Sequence, residues 1–292
     1  MKSIIYILLV VLLCGIVVSA FPKSISNQKQ VVTIESVDER TNTNLLNESC
    51  SIIKNRLKDY GLQNFEVSVN ATQKTIGFTF TDKVDVNEIL PLMVSKGKIE
   101  LYETFDRLDV IKLLEKDDKL YSLLNIPLEN PEIDNSSAIV GYCKVQNKSQ
   151  VDSYIANLAV TNPAQGIKYL WSVRPTVDGS YILYSLKPHA AMDKFHLLET
   201  LVVKQPNKTD HSDLMLHFDK NGTQVWQSFS KRNIGKPIAI VLDNIVYCAP
   251  KVMGEINNGK CIISGDFSIK EITRLKSLIS NEELLLDFKL KE

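Results

Sequence analysis

The sequence lacks the usual carriers of chemistry. There is no CxxC pair, no His-Glu-x-x-His run and no Gly-x-Ser-x-Gly elbow, so zinc-ribbon, zinc-protease and α/β-hydrolase readings are without their signatures. Gly235-Lys236 has no upstream glycine of a phosphate loop. Neither charge is in excess: Lys+Arg and Asp+Glu both number 34, which leaves nothing to neutralise a nucleic-acid backbone. Only one long apolar run is present, from Ile4 to Val18, so a polytopic membrane protein is excluded. What is present is ordinary for a globular chain. The 292 residues are 44% hydrophobic and 23% charged, which excludes disordered and collagen-like classes. Length alone suggests about two domains of roughly 150 residues each.

The apolar run sets the compartment. Lys2 precedes it and Val18-Ser19-Ala20 follow its end, the layout of a secretory signal. The run is shorter than the roughly 20 residues of a comfortable membrane span. Residues 1–22 therefore read as a signal peptide or an N-terminal membrane anchor. Lipidation at Cys14 is a third reading, against which stands Leu13 where a small residue is usual. All three export the rest of the chain. In an oxidising compartment Cys50, Cys143, Cys248 and Cys261 are free to oxidise. Cys248 and Cys261 lie near the ends of two predicted strands; they either meet or remain half-buried thiols.

Period and punctuation predict the elements. Residues 31–37 alternate weakly as a strand. Leu45, Leu46, Ile52, Ile53, Leu57 and Tyr60 recur at helical spacing and Gly61 supplies a stop. Residues 65–69 and 75–80 alternate as strands. Asp85-Val86-Asn87-Glu88 opens a helix running to Lys96-Gly97, bent at Pro91, and 98–102 is a further strand. The order β-α-β-β-α-β over 30–105 predicts a ferredoxin-like base, two helices on one face of an antiparallel sheet. Residues 106–200 form an unassigned connecting region. Helical patterns there cover 110–120 and 149–159, the second capped by Ser149. A loop covers 128–137, and a hairpin joins 169–173 to 181–186 around Asp178-Gly179. Residues 193–201 read as a helix or an irregular approach to the next strand.

The last part, 201–292, predicts an α+β head. Residues 213–218 alternate, and 223–231 form a helix presenting Val225, Trp226 and Phe229. Two strands, 237–242 and 245–248, flank the turn Asp243-Asn244. The strand 260–264 is followed by a capping box, Ser268 to Glu271, which opens a helix bearing Ile272, Leu275 and Leu278. A strand at 284–290 closes the chain. Asp213, His217 and Asp219, with His211 nearby, share one side of a predicted strand. Such a row is more often the solvated face than a metal site, so no metal or cofactor is expected.

The runs Phe218-Asp219, Gly222, Trp226 and Phe229, then 233–243 (Asn-Ile-Gly-Lys-Pro-Ile-Ala-Ile-Val-Leu-Asp), Val246 to Pro250 and Ile263 to Ser268 together resemble the SecD family, the accessory subunit of the bacterial Sec protein-export machinery. They match the head of that family's first extracytoplasmic domain. Ile52-Ile53, Arg56-Leu57, Gly61 and 97–101 resemble its base more weakly. The family's usual Gly after Leu-Asp is Asn244 here, its usual Ser before Ala-Pro is Cys248, and its multi-helix membrane domain does not follow. Gly235, Asp243, Ala249, Pro250, Ser264, Gly265 and Phe267 carry the match as architectural residues, so no catalytic residue and no enzyme activity is expected.

The resemblance implies an accessory extracytoplasmic domain that weakly binds unfolded chains during Sec-dependent export, through exposed apolar side chains and sheet edges of the head. Its implied partners are Sec translocase membrane subunits and the exported chains, with no nucleic acid and no small-molecule ligand. Tyr169, Trp171, Tyr181 and Tyr184 are candidate chain contacts, since aromatics give large contact area at low entropy cost; the plainer reading makes them core of the hairpin. The alternative function is a stand-alone cell-envelope module that kept the fold without an export role.

Overall fold

The computed structural model describes residues 29–114, 118–126, 137–161, 166–206 and 208–292. The expected signal or anchor at 1–22 and most of the loop expected over 128–137 lie outside them. In chain order the first elements are β1 (Gln30–Ser36), α1 (Thr43–Tyr60), β2 (Phe65–Asn70), β3 (Thr75–Phe80), α2 (Val86–Val94) and β4 (Ile99–Glu103). Then come α3 (Arg107–Leu114), α4 (Asp118–Leu123), β5 (Ile139–Lys144), α5 (Val145–Thr161), β6 (Lys168–Trp171), β7 (Ser180–Leu186), β8 (Met192–Asp193) and β9 (Leu197–Lys204). The last are β10 (Ser212–Phe218), α6 (Lys220–Arg232), β11 (Ile238–Leu242), β12 (Ile245–Cys248), β13 (Lys260–Ile263), α7 (Ile269–Ser280) and β14 (Phe288–Leu290). The strands form four small antiparallel sheets, so the class is α+β.

The first sheet has the order β14-β1-β3-β2, which is the ferredoxin-like order with a different fourth strand. Local chemistry starts and stops its helices. Asn42 caps α1 by accepting from the Leu45 N–H, Asp85 caps α2 by accepting from the Asn87 N–H, and Gly61 ends α1 at φ 110°, a left-handed value that favours glycine. Strands β1 and β3 turn Val32, Ile34, Ile76, Phe78 and Phe80 onto the helices. The strand expected at 98–102 is not the fourth member. β4 is buried on both faces and pairs with β11 and β8 instead; Ile99 and Leu101 enter the main core while Tyr102 enters a second one. A strand apolar on both sides needs cover on both sides, and the open-faced base sheet offers it on one. The three residues of β14 take the edge beside β1.

Strand β11 divides the head. Ile238, Ile240 and Leu242 face the main core, and Ala239 and Val241 face the smaller one shared with Leu170, Leu186 and Val246. The third sheet, β13-β10-β9, packs Leu214, Leu216, Phe218 and Ile263 into the main core. Sheet β5-β7-β6 carries a core of its own with α3, α4 and α5, built on Val110, Leu120, Val140, Val151 and Leu183.

Three local expectations are corrected. Helix α5 starts at Val145, directly after β5, so Ser149 lies inside it and caps nothing. The pattern over 110–120 divides between α3 and α4. Residues 193–201 become the end of β8, a 3-10 turn (Lys194–His196) and the start of β9. The turn at Asp243-Asn244 has φ of 51° and 63°, the left-handed pair that a two-residue hairpin requires.

The chain leaves the first sheet after α2 and returns to it after α7, and Arg56 of α1 holds both passages. Fully buried, its guanidinium donates to the Ser95 O at 2.6 Å, the Lys96 O at 2.7 Å and the Glu282 O at 2.8 Å. Burial pulls its pKa down to about 10, against the carboxylates of Asp243 and Glu283, so it stays charged at neutral pH. Asp243 reaches the same place from the β11–β12 turn, accepting from the Gly97 N–H at 3.1 Å and the Lys98 N–H at 2.9 Å. Gly97 has φ 79°, and a Cβ there would stand 2.5 Å from Arg56 Nη2 and 2.8 Å from the Leu278 O. Gly97→Ala is therefore expected to destabilise the fold by about 3 kcal/mol, the sum of left-handed strain and overpacking. Urea unfolding reads it; a shift below about 1 kcal/mol would mean the junction yields.

Candidate functional site

One apolar surface runs across the head without interruption. It begins at a cleft of about 430 Å³ lined by Trp226, Ile238, Ile240, Val252, Met253 and Ile256, and bordered by Ile262 of β13. Trp226 is fixed as its floor, donating its indole N–H to the Lys260 O at 3.1 Å and packing edge-on to Phe229. Met253 stands at its lip, 84% exposed. From the cleft the surface crosses the outer face of the third sheet. Ile262 pairs with Met215, and Met215 pairs with Leu201; residues directly opposite share a face. Val203 follows two residues along, opposite Asp213. The band ends on β9 at Leu201 and Val203, and the exposed Leu198 and Val202 lie on the strand's other face.

This arrangement departs from how soluble proteins usually finish a sheet. Edge strands normally carry lysines, prolines or bulges along their length that keep other chains away. β9 has eight residues, four of them exposed aliphatics, and its sheet order places it at an edge. Polar residues flank the stripe and do not cross it: Glu199 pairs with His217 at 3.0 Å, and Asp213 accepts from Gln205 at 2.7 Å. Met93 and Met192 are buried, whereas Met215 and Met253 both lie on the band. Methionine adapts its shape to whatever it meets, as surfaces that take varied partners require.

By register Tyr169, Trp171 and Tyr181 share one face of the sheet β5-β7-β6, and Tyr184 faces the other way. Tyr169 and Trp171 lie on one face of β6 against the core of the connecting region, and Tyr184 of β7 packs into the opposite core with Ala190 and Ala249. Burial lifts the phenols of Tyr169 and Tyr184 to about 12. Trp171 donates to Asp152 at 2.6 Å with Lys148 over its ring, and Tyr181 is half-buried opposite Cys143. No shared face joins the four.

The family-motif residues occupy turns and packing positions. Gly235 turns at φ 82° with its N–H on the Val252 O, and the Pro250 O accepts from Ile238. Ala249 packs on the smaller head core. Ser264 and Gly265 lead to Phe267, which stacks on Tyr247 at 6.1 Å beneath the Arg174 guanidinium. Cys248 and Cys261 are free thiols, and burial raises the Cys248 thiol to about 12 and the Cys261 thiol higher, so neither is a ready nucleophile. The four residues weighed as a metal row are engaged separately. His211 pairs with Asp266, Asp219 caps α6, and His217 and Asp213 have the partners named above. Among the described residues no group of three metal-ligating side chains gathers, and no helix is long and apolar enough to cross a membrane.

Comparison with known proteins places this geometry. Residues 174–285 match the family described as SecDF, P1 head subdomain. The SecD protein translocase subunit of Calditerrivibrio nitroreducens is 25% identical over 242 residues, which are 81% of this chain and 41% of that protein. Residues 174–285 are thus similar to a SecDF P1 head, and the longer likeness is to SecD proteins. The SecD of Leptotrichia buccalis is 36% identical over a shorter stretch, 25% of this chain and 18% of its own. A solved structure of SecDF, described as a membrane component that enhances protein export, shares the fold with a TM-score of 0.52 at 17% identity, covering 90% of this chain and 98% of that one. The chain thus spans less than half the length of these SecD relatives. The P1 head match takes in the cleft, β9 and β13 and begins at 174, in the loop between β6 and β7.

Alternation does not announce the band. Leu-Leu-Glu-Thr-Leu-Val-Val-Lys of β9 has apolar residues at adjacent positions, and that lack of alternation was the available signal: an edge strand with aliphatics on both sides leaves one set uncovered.

Proposed function

We propose that this chain is an extracytoplasmic accessory part of Sec-dependent protein export that holds extended segments of exported chains weakly on the apolar band of the head. In this reading residues 1–22 deliver or tether it outside the inner membrane, 30–105 form the base, and the head of 201–292 does the holding. The connecting region of 106–200 buttresses the head through Arg174, which pairs with Glu271 at 2.7 Å. The observation that carries the reading is the apolar stripe on which the half-buried Met215 links the exposed Met253 and Ile262 to the exposed Leu201 and Val203. A stripe of this kind suits a client recognised by apolar side chains and not by one sequence. Weakness follows from the same geometry: the stripe is shallow, so a bound segment loses much of its freedom for modest burial. No group on the band is placed for covalent chemistry, and the proposal includes no enzyme activity.

Two measurements test it. A reduced, carboxymethylated polypeptide that cannot fold is titrated against the full chain. Leu201→Lys with Ile262→Lys is expected to weaken binding at least about tenfold, equivalent to about 1.4 kcal/mol, while the circular dichroism spectrum is unchanged because both side chains already face solvent. Equal binding by the variant would remove the band from the reading. Crosslinking a tagged chain in intact cells is expected to recover Sec membrane subunits or exporting chains; recovery of unrelated envelope proteins alone would remove the export role.

A further inference from the structure

We propose that the captured segment binds by strand addition, extending the third sheet at the free edge of β9 as its fourth strand. This rests on the capture reading above and specifies the client's chemistry. The client is an extended stretch with aliphatic side chains at alternate positions and no proline where it meets β9.

The register defines the receiving groups. The Gln205 N–H donates to the His211 O at the end of the β9–β10 ladder. In an antiparallel ladder the inward-bonding residues alternate, so Val203, Leu201 and Glu199 turn their backbone groups toward β10. Thr200, Val202 and Lys204 turn theirs outward. Among the described residues no strand pairs with that outer edge and no hydrogen bond is made to these outward groups. A segment laid there meets the N–H and C=O groups of Val202 and Lys204, the arrangement by which peptides join exposed sheet edges; Thr200 is buried with its hydroxyl on Ser280 of α7, so the open edge begins past it.

Side chains favour the same occupant. A strand added beside β9 places alternate residues on the two faces of the sheet. On the outer face they join Leu201, Val203, Met215 and Ile262, and on the other they meet Leu198 and Val202. A helix offers no free backbone groups, so it cannot use the edge. Glu199 and Lys204, of opposite sign at the two ends of the strand, leave the middle uncharged and impose no net charge on the client.

The test separates backbone from side-chain recognition. The probe is a nine-residue peptide alternating valine and serine with a lysine at each end, titrated against the full chain. Its counterparts are N-methylated either at the valines or at the serines, which removes donors without removing side chains. One methylated peptide is expected to bind at least tenfold more weakly and the other unchanged, because only alternate N–H groups face β9. Val202→Pro supplies the reciprocal variant. Its lost N–H points away from β10, and edge strands tolerate proline at such positions, so the fold is retained while peptide binding falls by a similar factor. If both methylated peptides and the proline variant bind as well as the parents, strand addition is wrong and capture through side chains stands. If no peptide and no unfolded polypeptide binds, the capture reading fails and takes this one with it. A concentration-dependent dimer of the chain, abolished by Val202→Pro without any peptide binding, would assign the edge to a second copy and also overturn the proposal.

Discussion

Arg56→Met is expected to destabilise the protein by about 4 kcal/mol, among the largest effects of any single change outside the aromatic core. The substitution nearly preserves volume, so the loss comes from polarity. Three carbonyls, of Ser95, Lys96 and Glu282, lose their donor together, and each buried orphan costs about 1–3 kcal/mol. Removing a desolvated charge gives back part of that sum. Arg56→Lys keeps the charge, yet one ammonium cannot span three acceptors in a planar fork, so about 2 kcal/mol is expected to be lost. Urea unfolding of the three chains measures both values. A change below about 1 kcal/mol in Arg56→Met would mean that water reaches the carbonyls and that the junction is not closed by this side chain.

The second large effect concerns two of the three cores, that of the connecting region and the main one. Leu183 is fully buried in the connecting region, in a cluster whose members all lie between Phe105 and Leu183 in sequence. Leu183→Ala is expected to cost about 3 kcal/mol, confined to that unit. The two tryptophans report separately, Trp171 against the connecting region and Trp226 within the main core. In chains retaining one tryptophan each, through Trp226→Phe or Trp171→Phe, the Trp171 signal should move to lower urea while the Trp226 transition stays in place. Coincident shifts would show that the cores unfold as one cooperative body.

Much of the local structure was legible because its causes are local. The Ser268–Glu271 capping box is formed in full, the serine hydroxyl receiving the Glu271 N–H while the Glu271 carboxylate accepts from the Ser268 N–H. Strand β3 was readable from its alternation, and Gly61 from its place after the last apolar residue of α1. The SecD-type motifs were legible because turns such as Asp243-Asn244 demand particular residues. What failed was pairing at a distance. Nothing within 98–102 says that its partner is β11, more than 130 residues later, and nothing within 288–290 says that it completes the sheet begun at Gln30. The aromatic candidates drew attention for their chemistry, but a hairpin with cores on both faces takes them inward. The stripe of β9 went unread because a strand with uncovered aliphatics resembles no amphipathic template.

The place of β14 has a further bearing on how such a chain is made. The base sheet opens with β1, yet its edge beside β1 stays unfilled until Phe288–Leu290 have been synthesised. Everything from β4 through α7 lies between. A chain emerging N-terminus first must therefore carry this sheet incomplete while about 250 further residues are added, with β1 showing an open flank to whatever passes. Closing that flank brings together residues about 250 positions apart, and contacts so remote in sequence are slow to form. Strand β14 acts as a clasp: the ring of chain from β1 to β14, with Arg56 at its seam, closes only when both of its ends have emerged.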